Sequence, residues 1–158
     1  MKIGIVVHSF SGNTLSVVER LLEVLTVKGH EVEIVRLQVS GGEDRNQQDI
    51  NKIDLMPYAD LGRLDSLIVA GPVRGFQASP VIKKFFSEVR EIEGKSVSIF
   101  VTHAFPYSFL GGKSAIGQMA EMCREKGGKV EFTAIIDWGS GRREKQIEDL
   151  VKNITDLM

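Results

Sequence analysis

The sequence contains a single cysteine, Cys123, among 158 residues. One cysteine excludes an intrachain disulfide and a cysteine-based zinc site, and it favours a reducing, cytoplasmic compartment. Cys123 falls on the apolar stripe of a predicted helix, so we expect a buried and inert thiol. We expect no bound metal.

The sequence also lacks an excess of charge and a long apolar run. Its 20 basic and 21 acidic residues leave a formal net charge of -1, so nothing recruits nucleic acid electrostatically. No run is long enough to span a bilayer and no export signal is recognisable, so we expect a soluble, cytoplasmic protein without a membrane partner. The composition, 42% hydrophobic and 26% charged, is that of a globular chain, and we expect one domain over residues 1–158.

Two common nucleotide-binding motifs are absent as well. Neither Gly-x-Gly-x-x-Gly nor Gly-x-x-x-x-Gly-Lys-Ser/Thr is present, which disfavours a dinucleotide pyrophosphate and a nucleoside triphosphate with magnesium. Instead, residues 9–14 read Ser-Phe-Ser-Gly-Asn-Thr, between a predicted strand at residues 3–7 and a helical pattern from Leu15. Free amides at a helix start, short polar side chains and Gly12 together predict a cradle for a terminal monophosphate. The alternative is an ordinary capped helix, for which one such side chain would suffice.

Alternating apolar patterns predict an α/β protein with a doubly wound, parallel, five-stranded sheet. Residues 31–36 and 130–136 alternate as edge strands do, whereas residues 67–70 and 97–101 are nearly continuously apolar, as central strands are. This pattern favours the strand order 2-1-3-4-5, with helices on both faces. Ser79 and Pro80 predict the start of one helix. Residues 38–63 predict a long irregular crossover with at most a short helix near residues 60–64.

Two further loops are predicted at the same edge of the sheet as the cradle. Residues 71–79 read Gly-Pro-Val-Arg-Gly-Phe-Gln-Ala-Ser, and residues 103–112 read His-Ala-Phe-Pro-Tyr-Ser-Phe-Leu-Gly-Gly. Glycines let the backbone approach a flat ring, and aromatic side chains supply a stacking wall. Because ligands of such sheets bind beyond the carboxyl ends of the strands, we expect the three loops to form one site.

These loops resemble the FMN-binding loops of the flavodoxin family. Residues 9–14 match the family's Ser/Thr-x-Thr/Ser-Gly-x-Thr loop at every defined position, and the short ending at residues 137–139 is similar to its compact members. The resemblance implies a flavodoxin-like fold and FMN as the cofactor, with no side chain assigned a catalytic role. The implied FMN-binding residues are Ser9, Phe10, Ser11, Gly12, Asn13, Thr14, Pro72, Val73, Arg74, Gly75, Phe76, His103, Ala104, Phe105, Tyr107 and Gly111.

The resemblance also assigns roles around the flavin ring. Gly75 is expected to offer the amide near flavin N5. The family often has an aromatic residue where this chain has Arg74, so either Phe76 replaces that ring or Arg74 lies beside the flavin and raises its potential. Phe105 and Tyr107 are rival candidates for the wall on the other face.

Three polar positions near the loops each allow two interpretations. His8 either contacts the phosphate or turns into the flank of the sheet. His103 either donates to a flavin oxygen or to a substrate, or it fixes its own loop. Asp137 and Trp138 either line the rim of the site or end the last strand.

Three functions follow from the resemblance and the composition. The first is an FMN protein that carries electrons between a donor and a protein acceptor. The second is an FMN-dependent reductase that uses NAD(P)H to reduce a quinone, a flavin or a similar small molecule. The third is a flavodoxin-fold interaction domain without flavin. If the site opens onto a neighbouring chain, as in reductases of this fold, a homo-oligomer completes it.

Overall fold

The computed structural model describes residues 1–107, 109 and 111–158, so Ser108 and Leu110 of the third predicted loop lie outside the described residues. The described residues form six strands, four α-helices and one short 3-10 helix. In chain order these are β1 (Lys2–Val7), α1 (Asn13–Val27), β2 (Glu31–Arg36), the 3-10 helix (Ile50–Lys52), β3 (Ser66–Arg74), β4 (Gln77–Ala78), α2 (Pro80–Glu88), β5 (Ser96–His103), α3 (Gly112–Glu125), β6 (Lys129–Asp137) and α4 (Arg143–Leu157).

Five of the strands form a parallel sheet in the order β2-β1-β3-β5-β6. This order is the predicted 2-1-3-4-5 arrangement, and the burial of the strands explains why the sequence indicated it. Residues 66–71 of β3 are all buried, whereas β2 and β6 at the two edges are largely half-buried or exposed. The register places Val7 beside Ala70 and Pro72 beside Thr102. The carboxyl ends of the strands that carry the three loops therefore lie together, at what is called here the carboxyl edge of the sheet.

Helices cover both faces of this sheet. Apolar residues at helical spacing on α2 and α3 pack on one face, where Phe85, Phe86 and Met119 are buried. The corresponding stripes of α1 and α4 pack on the other face around Phe100. Each helix is thereby fixed by an apolar stripe, and its amino end points to the edge where the loops lie.

The start of α2 has the predicted capping chemistry. Ser79 is the N-cap residue and its Oγ accepts a hydrogen bond from the Val81 amide at 3.2 Å, while Pro80 occupies the first helical position. Cys123 is fully buried on α3, as predicted, and burial raises the pKa of its thiol to about 11.

The crossover between β2 and β3 is largely irregular, as predicted. Residues 60–64, where the prediction allowed at most a short helix, form bends and a turn. The helical turn lies earlier, at Ile50–Lys52, because the side chain of Asp49 caps it by accepting from the Asn51 amide at 3.0 Å. Among the described residues, no helix has the length and apolar content needed to cross a membrane.

Candidate functional site

The loop between β1 and α1 leaves the first amides of the helix available. Gly12 has a φ of +90° and is the N-cap residue, and it provides no capping side chain. Ser9 Oγ accepts from the Leu15 amide at 3.3 Å. Within the described part of the chain, the amides of Asn13 and Thr14 have no hydrogen-bond acceptor. The positive end of the α1 dipole therefore faces outward with unused donors, which suits an anion.

The polar side chains of this loop divide into two groups. The side chain of Thr14 is buried, and its Oγ1 lies 2.7 Å from Oγ1 of Thr102 on β5. Ser9 Oγ only accepts in its contact with the Leu15 amide, so its own hydroxyl hydrogen can still donate. Ser11 and Asn13 line the adjacent cavity. Of the four side chains predicted as phosphate donors, Ser9, Ser11, Asn13 and Thr14, the cavity is therefore lined by Ser11 and Asn13, while Thr14 locks the helix start to the sheet.

The second loop is a tight hairpin that the sequence did not indicate. β3 continues to Arg74 and turns back so that Arg74 pairs with Gln77 and Val73 with Ala78. The two residues at the tip have positive φ, +56° at Gly75 and +62° at Phe76, as a type I′ turn requires. A positive φ is rare for an aromatic residue, so this turn is held by its surroundings.

Aromatic rings from the second and third loops meet beside the turn. The rings of Phe76 and Phe105 are parallel within 3°, with centroids 6.2 Å apart, and both side chains are about half exposed. The ring centroids of His103 and Phe105 are 5.4 Å apart. Tyr107 instead stacks on Phe109. Of the two rival wall residues, Phe105 is therefore the one that the structure brings to Phe76.

Cavities join these loops into one site. One cavity of about 240 Å³ runs from the cradle to the third loop, and a second of about 170 Å³ lies at the hairpin turn. The first is lined by Phe10, Ser11, Asn13, Arg45, Pro72, Val73, Arg74, Thr102, His103 and Ala104. The second is lined by Val73, Gly75, Phe76, His103, Ala104 and Phe105.

His8 lies at the flank of the sheet, with both ring nitrogens engaged. Its Nε2 is 2.5 Å from Oε1 of Glu43 in the crossover, and its Nδ1 is 2.7 Å from Oγ of Ser79. Burial lowers the pKa of His8, and the positive charges of Arg74 and Arg36 lower it further, although Glu43 opposes the shift. The neutral ring donates from Nε2 to Glu43 and accepts from the Ser79 hydroxyl. His8 thus fastens the crossover to the start of α2, and its ring packs edge-on against Phe10 of the cradle, with ring centroids 5.5 Å apart.

This arrangement predicts a pH dependence of stability. Because the folded-state pKa of His8 lies below its unfolded value of about 6.5, the unfolded chain takes up the proton first as the pH falls. The His8 contribution is therefore complete above the unfolded pKa and is lost as the pH falls toward the folded pKa. We expect the urea concentration at the unfolding midpoint to be lower at about pH 5 than at about pH 7.5. This difference should be smaller in His8→Gln. His30→Gln is the control. An equal fall in wild type and His8→Gln would contradict the prediction.

His103 and Asp137 form a buried pair at the ends of neighbouring strands. Nδ1 of His103 lies 3.5 Å from Oδ1 of Asp137. The side chain of Gln146 on α4 holds Asp137 twice, by donating to Oδ2 at 3.0 Å and accepting from the backbone amide at 2.8 Å. The Trp138 amide donates to the His103 carbonyl. Asp137 therefore ends the strand and also orients His103, whose ring borders both cavities of the site.

The fold of this chain is similar to that of solved flavodoxins and flavoproteins over nearly its full length. The chain is similar to a flavoprotein in complex with FMN from Lactobacillus acidophilus, with 20% identity, a TM-score of 0.66, and coverage of 92% of this chain and 97% of that one. It is similar to the two-electron reduced flavodoxin of Megasphaera elsdenii, with 18% identity, a TM-score of 0.67 and 98% coverage of both chains. The chain has the flavodoxin fold. Oxidised Flavodoxin 2 from Bacillus cereus matches all of both chains at 17% identity and a TM-score of 0.66.

These identities establish the flavodoxin fold and no finer relationship. No protein-family profile and no curated relative matches the chain. The residues that line the site include one that the sequence did not indicate, Arg45 from the crossover. Arg45 has no local sequence signal, since it reaches the site only through tertiary packing.

Proposed function

We propose that the protein binds FMN at the carboxyl edge of its sheet and acts as a redox protein. The observation that carries this proposal is the start of α1, where unused amides and open space beside Gly12 adjoin the first cavity. The second cavity, which shares Val73, His103 and Ala104 with the first, is lined by the parallel rings of Phe76 and Phe105. A Cβ placed on Gly12 would meet no atom of the described residues within 4 Å. Free amides suit a phosphate, and the aromatic faces of Phe76 and Phe105 suit a flat ring.

Each part of the site would hold a different part of FMN. The cradle with Ser11 and Asn13 would take the phosphate, and the hairpin turn at Gly75 would lie along the ring edge with the third loop beside it. Bound flavin would supply one-electron and two-electron transfer, and the protein would orient it and exclude water from its faces. His103, whose Nδ1 lies 3.5 Å from Oδ1 of Asp137, would hold or donate a proton at its ring.

Two kinds of partner are compatible with such a protein. An electron carrier would dock a protein acceptor, and the exposed rings of Phe76, Phe105, Tyr107 and Phe109 beside the site favour that candidate. A reductase would convert NAD(P)H, a proton and a quinone into NAD(P)+ and a hydroquinone. The formal net charge of -1 disfavours electrostatic steering of a protein partner by a strongly acidic surface. The positively charged side chains in the cavity wall, Arg45 and Arg74, favour the small-molecule candidate.

A visible spectrum with FMN, and with riboflavin as a matched ligand, tests the proposal. We expect FMN to bind with a shifted spectrum and quenched fluorescence, and riboflavin to bind at least tenfold more weakly because it lacks the phosphate. Anaerobic titration with NADPH and then dithionite separates the partners. Catalytic bleaching by NADPH with quinone present supports the reductase, and reduction by dithionite alone supports the carrier. If the protein binds neither flavin, the proposal fails and the alternative of an interaction domain without flavin leads.

A further inference from the structure

Two arginines from separate segments meet on one aromatic ring at the cavity. Arg45 comes from the crossover and Arg74 from the end of β3. Each guanidinium carbon lies 4.5 Å from the centroid of the Phe10 ring. The Arg74 Nη2 also donates to the backbone carbonyl of Arg45 at 2.6 Å. The two positive charges are therefore positioned together, one on each segment that borders the cradle.

These two guanidinium groups have no carboxylate partner among the residues that the structure describes. In the ranges that the structure describes, neither lies within 4.0 Å of an Asp or Glu oxygen, whereas Arg20 pairs with Glu144. The acidic residues closest in sequence to Arg45 are used elsewhere. Glu43 contacts His8, and the side chain of Asp44 accepts from the Asn46 amide at 2.9 Å. An oxyanion that contacts both guanidinium groups would therefore interact with two positive charges that no carboxylate of the described residues pairs with.

The crossover is fastened so that Arg45 stays at the cavity. The contact between Glu43 and His8 holds the crossover two residues before Arg45, and the Arg74 hydrogen bond holds it at Arg45 itself. Arg74 is half-buried, and both arginines line the cavity of about 240 Å³ that also contains Ser11 and Asn13. A pair that projects into a concave site can grip a small anion, whereas an acidic protein surface would reach the exposed Arg45 more easily than Arg74.

We propose that Arg45 and Arg74 bind an oxyanion, a carboxylate or a phosphate, on a small redox substrate. The anion would be a second one, distinct from the flavin phosphate that the cradle takes. This inference rests on the proposed function, because the substrate reaches the pocket that would hold the flavin. Guanidinium groups suit both oxyanions, since each presents paired oxygens to the planar donor fork.

Binding to the FMN-loaded protein tests the pair without requiring turnover. The variants are Arg45→Gln, Arg74→Gln and the double variant. Arg63→Gln is the control, because it removes the same charge at the opposite edge of the sheet, just before β3. The probes are NADP+, which carries phosphate and cannot reduce the flavin, a carboxylated naphthoquinone, and menadione as an uncharged quinone. The readout is the change in the bound flavin's absorption spectrum during titration, at low and high salt.

We expect at least one anionic probe to bind, more weakly at high salt, and each cavity variant to weaken it about tenfold. The affinity for menadione should be the same in wild type and in every variant. Arg63→Gln should bind the anionic probes as tightly as wild type does. If NADP+ binds and the carboxylated naphthoquinone does not, the substrate carries a phosphate. If the naphthoquinone binds and NADP+ does not, the substrate carries a carboxylate. The inference is overturned if the double variant binds the anionic probes as tightly as wild type does. It is also overturned if the wild-type protein binds FMN but neither anionic probe.

The affinities of the same variants for FMN and riboflavin give a second check. If the arginines bind a second anion, the ratio of the two flavin affinities stays near its wild-type value. A selective loss of FMN affinity would mean that the pair holds the flavin phosphate, which overturns the inference and leaves the proposed function intact. Failure of the wild-type protein to bind FMN overturns the proposed function first, and with it the inference.

Discussion

Replacing Gly111 by alanine is expected to destabilise the protein by about 2–5 kcal/mol and to weaken FMN binding at least tenfold. Gly111 has a φ of +103°, where an L side chain is strained. A Cβ there would lie 2.6 Å from Cα of Phe76, so the hairpin turn itself has to move. Chemical unfolding measures the stability loss, and fluorescence titration measures the FMN affinity.

Gly117 provides a matched control for this substitution. It lies on the same helix, α3, is exposed, and a Cβ there would meet no atom within 4 Å. Gly117→Ala should therefore stabilise the protein by about 0.5–1 kcal/mol and leave FMN binding unchanged, because alanine favours helix more than glycine does. If Gly111→Ala were as stable as Gly117→Ala, the result would contradict the claim that Gly111 packs closely on the hairpin turn.

The sheet was predictable because burial is visible in the strand patterns. Residues 67–70 are covered on both faces and are continuously apolar, whereas β2 has one partly exposed face and alternates. β4 was not predictable, since a strand of two residues has no periodicity. Its turn carries Phe76 at a φ where glycine or asparagine is usual, so the sequence lacks the common hairpin signal.

The candidate site was predictable only where its residues are neighbours in sequence. Residues 9–14 carry the cradle within one short stretch, and the glycine and aromatic loops follow predicted strand ends. The bond between Thr14 and Thr102 instead joins residues 88 positions apart, and it turns a predicted phosphate donor inward. Arg45 reaches Phe10 from a crossover with no periodic pattern. These contacts arise from tertiary packing, which single-sequence patterns do not encode.

Replacing Gly12 by aspartate is expected to reduce FMN affinity at least a hundredfold while the protein stays folded. Gly12 has a φ of +90°, and aspartate and asparagine tolerate a left-handed backbone better than other side chains. In the part of the chain that the structure describes, no atom lies within 4 Å of an added Cβ, so there is room for either residue. A carboxylate in the cradle would face the flavin phosphate, and two like charges 4 Å apart repel by about 4 kcal/mol at an effective dielectric constant of about 20.

Gly12→Asn separates this repulsion from the loss of glycine. Asparagine has nearly the same shape as aspartate and no charge, so both variants should lose a similar amount of stability, about 1 kcal/mol, from the backbone conformation. The asparagine variant should bind FMN within about tenfold of wild type, because its amide can donate to a phosphate oxygen. Riboflavin has no phosphate and should bind both variants equally. If aspartate and asparagine weaken FMN equally, the phosphate does not lie at Gly12, since only the charge distinguishes the two side chains there.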